Sequence, residues 1–162
     1  MKKVILIFVT IVLSGLLYAK DNKSTDALLR EIDGIIKNRQ TYGAEKEARI
    51  ADLKKLLAEA TSDEQRYGFC GRLFDEYRAY NLDSSFVYAQ RKEELAHRMD
   101  KLDYLDDAAM NMAEVMGTTG MYKEALELLG QIDKKTLPDY LYGYYYHLYR
   151  TIYGLMGEIG RA

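Results

Sequence analysis

One stretch, residues 108–132, constrains the fold of this chain more than any other: AAMNMAEVMGTTGMYKEALELLGQI. Apolar residues recur at three- and four-residue spacing on both sides of a glycine-containing turn, which predicts two short amphipathic helices. Ala113 and Ala125 leave room for the two helices to approach closely, since larger side chains would force them apart. The stretch therefore predicts a helical hairpin that must bury its apolar face against neighbouring hairpins.

Further helical patterns precede and follow this hairpin. They predict hairpins at about 25–60, 63–99 and 101–133 and an unpaired helix at 139–158. Helix pairs that recur at roughly 35–40 residues are typical of a helical solenoid. If Gly120 is the turn glycine, Tyr122 and Ala125 stand where a tetratricopeptide repeat carries its aromatic and small residues. We predict an all-α, tetratricopeptide-like, right-handed array of about seven helices over residues 20–162.

The same patterns predict turns, caps and buried faces. The chain is expected to turn at 40–43, after a first apolar face made of Leu28, Leu29, Ile32, Ile35 and Ile36. Ser62 and Gln65 have capping-box spacing, and Asp83 or Ser84 is expected to cap the next helix. The expected buried faces are Tyr67, Cys70, Leu73, Phe74 and Tyr77; then Phe86, Ala89, Leu95, Ala96 and Met99; then Leu102, Leu105, Ala109, Met112, Ala113 and Met116.

The first nineteen residues resemble a secretory signal peptide. Lys2 and Lys3 precede an almost unbroken apolar run from Val4 to Leu17, and Ala19 precedes a polar stretch. A membrane span needs about 20 apolar residues, and this run is shorter. Its length therefore favours cleavage after Ala19 over a retained anchor. We expect an exported, periplasmic chain that meets a membrane only through an uncleaved signal or a missing downstream helix.

Composition and motifs argue against several functions. With 23 basic and 25 acidic residues, the chain shows no basic surface for nucleic acid. His97 and His147 lack partners at metal-ligand spacing, and no nucleophile or phosphate-binding motif is present. Cys70, the only cysteine, is expected to be a small buried apolar residue. We therefore predict no enzyme activity, no cofactor and no metal. A helical enzyme stays as an alternative, and it would require a pocket of clustered titratable groups.

Four stretches carry a resemblance to a known family: LLREIDGIIKNRQTYGAEKEARIADLKKLL, LFDEYRAYNLDSSFVYAQRKEELA, MAEVMGTTGMYKEALELL and YYYHLYRTIYG. Together they resemble the N-terminal region of exported tetratricopeptide regulators from Bacteroidota. The resemblance implies a periplasmic repeat domain that is followed, in full-length members, by further repeats, a membrane helix and a cytoplasmic output region that acts in transcriptional regulation. The present chain would then be a sensing or interaction half without the output region: a truncated version, a fragment or a stand-alone remnant.

The predicted binding surface combines two elements. In a tetratricopeptide array the first helix of each hairpin lines the concave groove, and this register places five residues of the fifth helix there: Asp107, Met110, Asn111, Glu114 and Thr118. Because this set has no lysine or arginine, an apolar or basic peptide is expected to suit it. In the last helix, Tyr142, Tyr145, Tyr146, Tyr149 and Tyr153 are expected to pack inward, which leaves Tyr140 and Tyr144 for contacts. We predict an unidentified protein or peptide partner, with a purely structural repeat protein or remnant as the alternative.

Overall fold

The computed structural model of the protein describes residues 25–159, and every regular element within that range is an α-helix. The helices are α1 (25–37), α2 (Arg39–Glu59), α3 (Asp63–Tyr77), α4 (Leu82–Met99), α5 (Leu102–Thr118), α6 (Tyr122–Gly130) and α7 (Asp139–Ile159). The prediction of an all-α chain with seven helices is confirmed. The predicted signal peptide lies outside the described residues.

The chain divides into two compact units, and the division falls inside α2 between Glu47 and Ala48. In the first unit, α1 and α2 are interrupted only at Asn38. Backbone hydrogen bonds from Asn38 N to Gly34 O and from Tyr42 N to Asn38 O, both 3.1 Å, carry the helical pattern across it. The turn predicted at 40–43 is therefore wrong, because these residues lie within α2. One glycine costs a helix only about 1 kcal/mol, which the surrounding helix-forming residues offset.

The second unit contains α3 to α7, and each of these helices packs on the next, while α5 also contacts α7. Arg98, near the end of α4, binds Asp63 at the start of α3 with a 2.9 Å ion pair, so these two helices run antiparallel. This sequential packing of helix pairs is the architecture that the repeat spacing predicts.

The helix ends explain where the hairpins turn. The Ser62 side chain accepts a hydrogen bond from Gln65 N, as the capping-box spacing predicts, and Gln65 Oε1 accepts one from Thr61 N at 2.9 Å. The cap of α4 is Asn81, and the prediction of Asp83 or Ser84 is wrong, because the helix already begins at Leu82. Gly120 has a φ of 87°, a left-handed conformation that favours glycine, so it forms the turn between α5 and α6, as predicted.

Two apolar cores hold the second unit together. In the first, the predicted α3 face (Tyr67, Cys70, Leu73, Phe74 and Tyr77) is buried and meets Ile50 and Leu53 of α2. The second core joins α5, α6 and α7 through Met110, Ala113, Ala125, Leu129, Leu141, Tyr145, Leu148 and Ile152. Because α5 contributes to both cores, it is buried on opposite sides rather than along one stripe.

Several predicted buried faces differ from the observed ones, and for α5 the difference comes from its burial on two sides. Leu102 and Phe86 are exposed, whereas Ala108, Met110, Val115 and Gly117 are buried. In α7 the buried face is Leu141, Tyr145, Leu148 and Ile152, so Tyr146 and Tyr153 of the predicted tyrosine face are exposed. A stripe at i, i+4, i+7 and i+11, made of three aliphatic residues and Tyr145, therefore determines how α7 packs, and the other tyrosines lie beside it.

Candidate functional site

The polar side of α5 faces a groove between α3 and α7. Asp107, Asn111, Glu114 and Thr118 are spaced so that they share one face of the helix. The groove has a volume of about 440 Å³, and its lining residues are Tyr67, Gly68, Gly71, Arg72, Phe74, Asp75, Arg78, Lys92, Asp107, Asn111 and Tyr144. Most of them belong to α3, α5 and α7, the first helices of successive hairpins. A polar groove therefore runs along these first helices, and the binding of a partner there stays a prediction.

The floor of the groove is organised by a buried lysine from α4. Only 4% of Lys92 is exposed, and its Nζ donates to Asp107 Oδ2 at 2.7 Å and to the side-chain oxygen of Asn111. The same ammonium lies 4.8 Å from the centre of the Tyr67 ring. Tyr67 Oη donates to Asp107 Oδ2 at 2.6 Å. A buried charge must be paired and hydrogen-bonded to be tolerated, and Lys92 meets both conditions.

Tyr144 connects this floor to the last helix. Its hydroxyl accepts a hydrogen bond from Asn111 Nδ2 at 3.1 Å and donates to Glu114 Oε2. Glu114 Oε1 in turn accepts from Arg78 Nη1 at 3.2 Å, and Arg78 is the C-cap residue of α3. Seven side chains from four helices therefore form one continuous network: Tyr67, Asp107, Lys92, Asn111, Tyr144, Glu114 and Arg78.

Burial and the neighbouring carboxylates keep the tyrosine hydroxyls of this network protonated. Burial, followed by the charge of Asp107, raises the pKa of Tyr67 far above its usual range. Burial, followed by the charge of Glu114, raises the pKa of Tyr144 in the same way. Both hydroxyls are thus permanent hydrogen-bond donors to carboxylates. They act as fixed links between helices, with no proton to give up near neutral pH.

The predicted site residues do not all lie in the groove. Asp107, Asn111 and Tyr144 line it, and the carboxylate of Glu114 accepts a hydrogen bond from Tyr144 beside them. Met110 is fully buried in the second core, so predicting it as a contact residue is wrong; it lies on the side of α5 that packs against α6 and α7. Thr118 is exposed, but its hydroxyl bonds Glu114 O of its own helix. Tyr140 is 68% exposed, as expected, and its hydroxyl lies 3.3 Å from Asp103 Oδ2.

The binding surface predicted from the sequence did not include the basic residues of the groove, because it took the groove face from α5 alone. Lys92 comes from α4, Arg72 comes from α3, and Arg78 is the C-cap residue of α3. Lys92 continues the buried stripe of Ala89, Leu95 and Ala96 at helical spacing, and a lysine inside such a stripe was the available signal. The assembled groove therefore contains basic groups although the α5 set has none, and the expectation of an apolar or basic peptide was based on that set alone.

Other reactive side chains do not gather into a second site. Among residues 25–159, no group of three or more His, Cys, Asp and Glu residues is placed to hold a metal ion. Cys70 is 1% exposed, and burial raises the pKa of its thiol, in keeping with the small apolar residue that the sequence predicts. Within the described range, no helix is both long and apolar enough to cross a bilayer.

Fold and groove together define a helical-repeat domain with a polar groove that runs along the first helices of its hairpins. A family model described as the SusR N-terminal TPR domain matches residues 36–161, where TPR stands for tetratricopeptide repeat. The chain belongs to this family, and SusR is a regulator from Bacteroides. The resemblance noted from the sequence is thereby confirmed. Neither a curated protein nor a solved structure matches the chain.

Proposed function

We propose that this domain is the sensing and interaction half of an exported regulator, and that a protein or peptide segment binds in the groove between α3, α5 and α7. The observation that supports this best is the network across the groove floor. It links the first helices of successive hairpins to one buried lysine, so an occupant would contact several repeats at once. A repeat protein with only a structural role has no need of such a charged floor, because apolar packing would hold the helices together equally well.

The rim of the groove favours an acidic group on the occupant. Arg78 is paired with Glu114 and lies 3.7 Å from Asp75, and Lys92 is paired with Asp107. Arg72 is exposed on the groove wall and forms no ion pair or hydrogen bond among the described residues. A carboxylate from the occupant can approach the guanidinium of Arg72 without breaking an existing contact. Tyr67, Phe74 and Tyr144 provide aromatic surface beside it.

The network also provides a route for a signal. Because Tyr144 binds both Asn111 and Glu114, an occupant that reorganises either residue changes how α7 packs on α5. Such a shift of packed helices is a common form of conformational signalling. In a full-length regulator, the displacement would pass from α7 to whatever follows it. The domain itself is proposed to bind no nucleic acid, and its export is proposed from residues 1–19.

Site-specific photocrosslinking in cells tests this proposal. Benzoyl-phenylalanine would replace Asp75 on the groove wall in one variant, which leaves Arg72 in place, and Lys123 in a control variant. The side chain of Asp75 is 66% exposed, and that of Lys123, on α6, is 84% exposed. We expect discrete crosslinked species from position 75 and none at the same mass from position 123. Equal crosslinking from both positions, or none from position 75, would contradict a binding groove and favour the purely structural alternative.

A further inference from the structure

A second cavity, here called the arginine pocket, lies between α2, α3 and α4. Its lining residues all belong to the second unit: Leu57, Arg66, Cys70, Arg91, Glu94, Leu95 and Arg98. Its volume is about 290 Å³, near the lower end of the range of about 300–1,000 Å³ in which small ligands bind. The groove is lined by Gly68, Arg72 and Asp75 of α3, and a helical projection places these on the opposite side of α3 from Arg66 and Cys70. The pocket is therefore separate from the groove.

One end of the arginine pocket holds two guanidinium groups close together. The Asp63 carboxylate accepts from Arg66 Nη1 through one oxygen and from Arg98 Nε through the other, each at 2.9 Å. Arg66 Nη2 also donates to Ala60 O at 2.9 Å. These bonds fix both groups but use only part of their hydrogen-bonding capacity, since each guanidinium has five N–H donors. The side chains of Arg66 and Arg98 are 41% and 54% exposed, so a ligand can reach the remaining donors.

Arg91 adds a third cation to the same pocket. It precedes Arg98 by seven residues, so the two lie on one side of α4, two turns apart. Among residues 25–159 Arg91 forms no ion pair or hydrogen bond, and its guanidinium carbon lies 5.4 Å from the centre of the Tyr88 ring. Burial raises the pKa of the Cys70 thiol and the charge of Arg91 opposes that rise, in keeping with a guanidinium near the thiol. A ligand can therefore pair with Arg91 without breaking an existing ion pair.

The other lining residues restrict the kind of ligand that fits. Leu95 and Cys70 are buried and Leu57 is half-buried, and together they form an apolar wall. Three arginines stand against two acids, Glu94 in the lining and Asp63 behind it, so the cluster has a formal charge of +1. One negative charge on the ligand would neutralise the cluster. A carboxylate provides that charge, and its two oxygens match the geometry of guanidinium N–H donors.

We propose that the arginine pocket binds a small organic acid with one carboxylate and an apolar chain. The carboxylate is bound among the three guanidinium groups, and the chain rests on the apolar wall. Inorganic phosphate fits less well, because it provides charge but no apolar surface to bury against that wall. Since the pocket and the groove lie on opposite sides of α3, this proposal does not depend on the proposed function. It gives the domain a second site, for a small molecule.

Titration of the full chain with hexanoate, followed through the backbone amide signals in NMR spectra, provides the test. Two control ligands separate the contributions: hexanol has the apolar chain without the charge, and inorganic phosphate has the charge without the chain. We expect hexanoate to bind with a Kd on the order of 1 mM, because so small a ligand buries little surface. The affected amides should be those of residues 66–70 and 91–98. Hexanol and phosphate should each bind at least about tenfold more weakly.

Arg91→Met is the most informative variant, because it removes the unpaired charge but keeps an apolar side chain of similar length. We expect it to weaken hexanoate binding at least about tenfold. Arg150→Met is the matched control, at an exposed arginine of α7 outside the pocket, and it should bind hexanoate as the unchanged chain does. Circular dichroism verifies that both variants are helical. The comparison of the three ligands uses the unchanged chain, so it does not depend on the folding of any variant.

Three outcomes would overturn the proposal. Hexanoate could leave all amide signals unchanged well above the expected Kd, or change only those of residues 107–114 in the groove. Hexanol or phosphate could bind as tightly as hexanoate, which would show that the pocket does not recognise an apolar carboxylate. Finally, a helical Arg91→Met variant could bind hexanoate as tightly as the unchanged chain. None of these results bears on crosslinking from position 75, so failure of this proposal is distinguishable from failure of the proposed function.

Discussion

Two faces of α5 illustrate different uses of one helix. Its apolar face presents Met110, Ala113 and Gly117 to α6 and α7, and it is buried by ordinary side-chain packing. Its polar face presents Asp107, Asn111 and Glu114 to the groove, where every partner comes from another helix. The apolar face tolerates any well-fitting aliphatic residue, whereas the polar face depends on donors and acceptors at fixed positions. The two faces of this helix therefore contribute to stability in different ways, one by apolar packing and the other by hydrogen bonds between helices.

The largest expected difference between the two faces comes from Met110→Ala. Because Met110 is fully buried, the substitution removes apolar contacts and leaves a cavity. We expect the free energy of unfolding to fall by about 3 kcal/mol, measured by urea denaturation. Thr118→Ala on the polar side is the control and should change it by less than about 0.5 kcal/mol. Equal effects would contradict the assignment of Met110 to the core.

Lys92→Met tests the groove floor. The variant removes the ammonium that Asp107 and Asn111 share but keeps the length of the apolar side chain. We expect a loss of about 2 kcal/mol in stability, less than for a fully buried pair, because the Asp107 side chain is 24% exposed. Replacing Lys92 and Asp107 together, with Met and Leu, should recover part of this loss. If the double variant loses as much stability as Lys92→Met and Asp107→Leu lose when their separate effects are added, the two residues are not coupled.

Alanine substitutions at two glycines test how closely α5 and α7 approach each other. A Cβ atom on Gly117 would lie 2.9 Å from Cγ1 of Ile152, a buried residue of α7, whereas one on Gly143 would meet nothing within 4 Å. We expect Gly117→Ala to lower the unfolding free energy by about 1–2 kcal/mol, because overpacking outweighs the gain in helix propensity. Gly143→Ala should raise it by about 0.5–1 kcal/mol. Thermal unfolding of both variants measures these changes. If the stability of both variants changes in the same direction, the close approach of α5 and α7 at Gly117 is contradicted.

The smallest expected effect concerns the tyrosines of α7. Tyr144→Phe removes the hydroxyl that joins Asn111 to Glu114, so we expect a loss of about 1 kcal/mol in chemical denaturation. Tyr146→Phe, at a residue that is 54% exposed, should be nearly neutral. Hydrogen exchange should also rise in α7 of the first variant only. Unchanged exchange there would argue against Tyr144 as a link between α5 and α7.

Local patterns predicted much of this architecture because helix caps and apolar spacing are short-range features. The α3 face, the Ser62 cap and the Gly120 turn are all present where the sequence placed them. The turn at 40–43 was wrong because weak helix breakers were given more weight than the helix formers around them. The faces of α5 and α7 were misplaced because periodicity assumes a single buried side, which α5 does not have.

Only the α5 residues of the candidate site, and not their basic partners, could be predicted from the sequence. Spacing placed Asp107, Asn111 and Glu114 on one face, since these residues are local to one helix. Lys92 and Arg78 are 15 and 36 residues away from their partners, and only packing brings these groups together. The sequence by itself determined the helices from α3 onward, the pairing of α3 with α4 and of α5 with α6, and the family. The tertiary structure alone determined the charge of the groove, because each hydrogen bond there joins side chains from different helices.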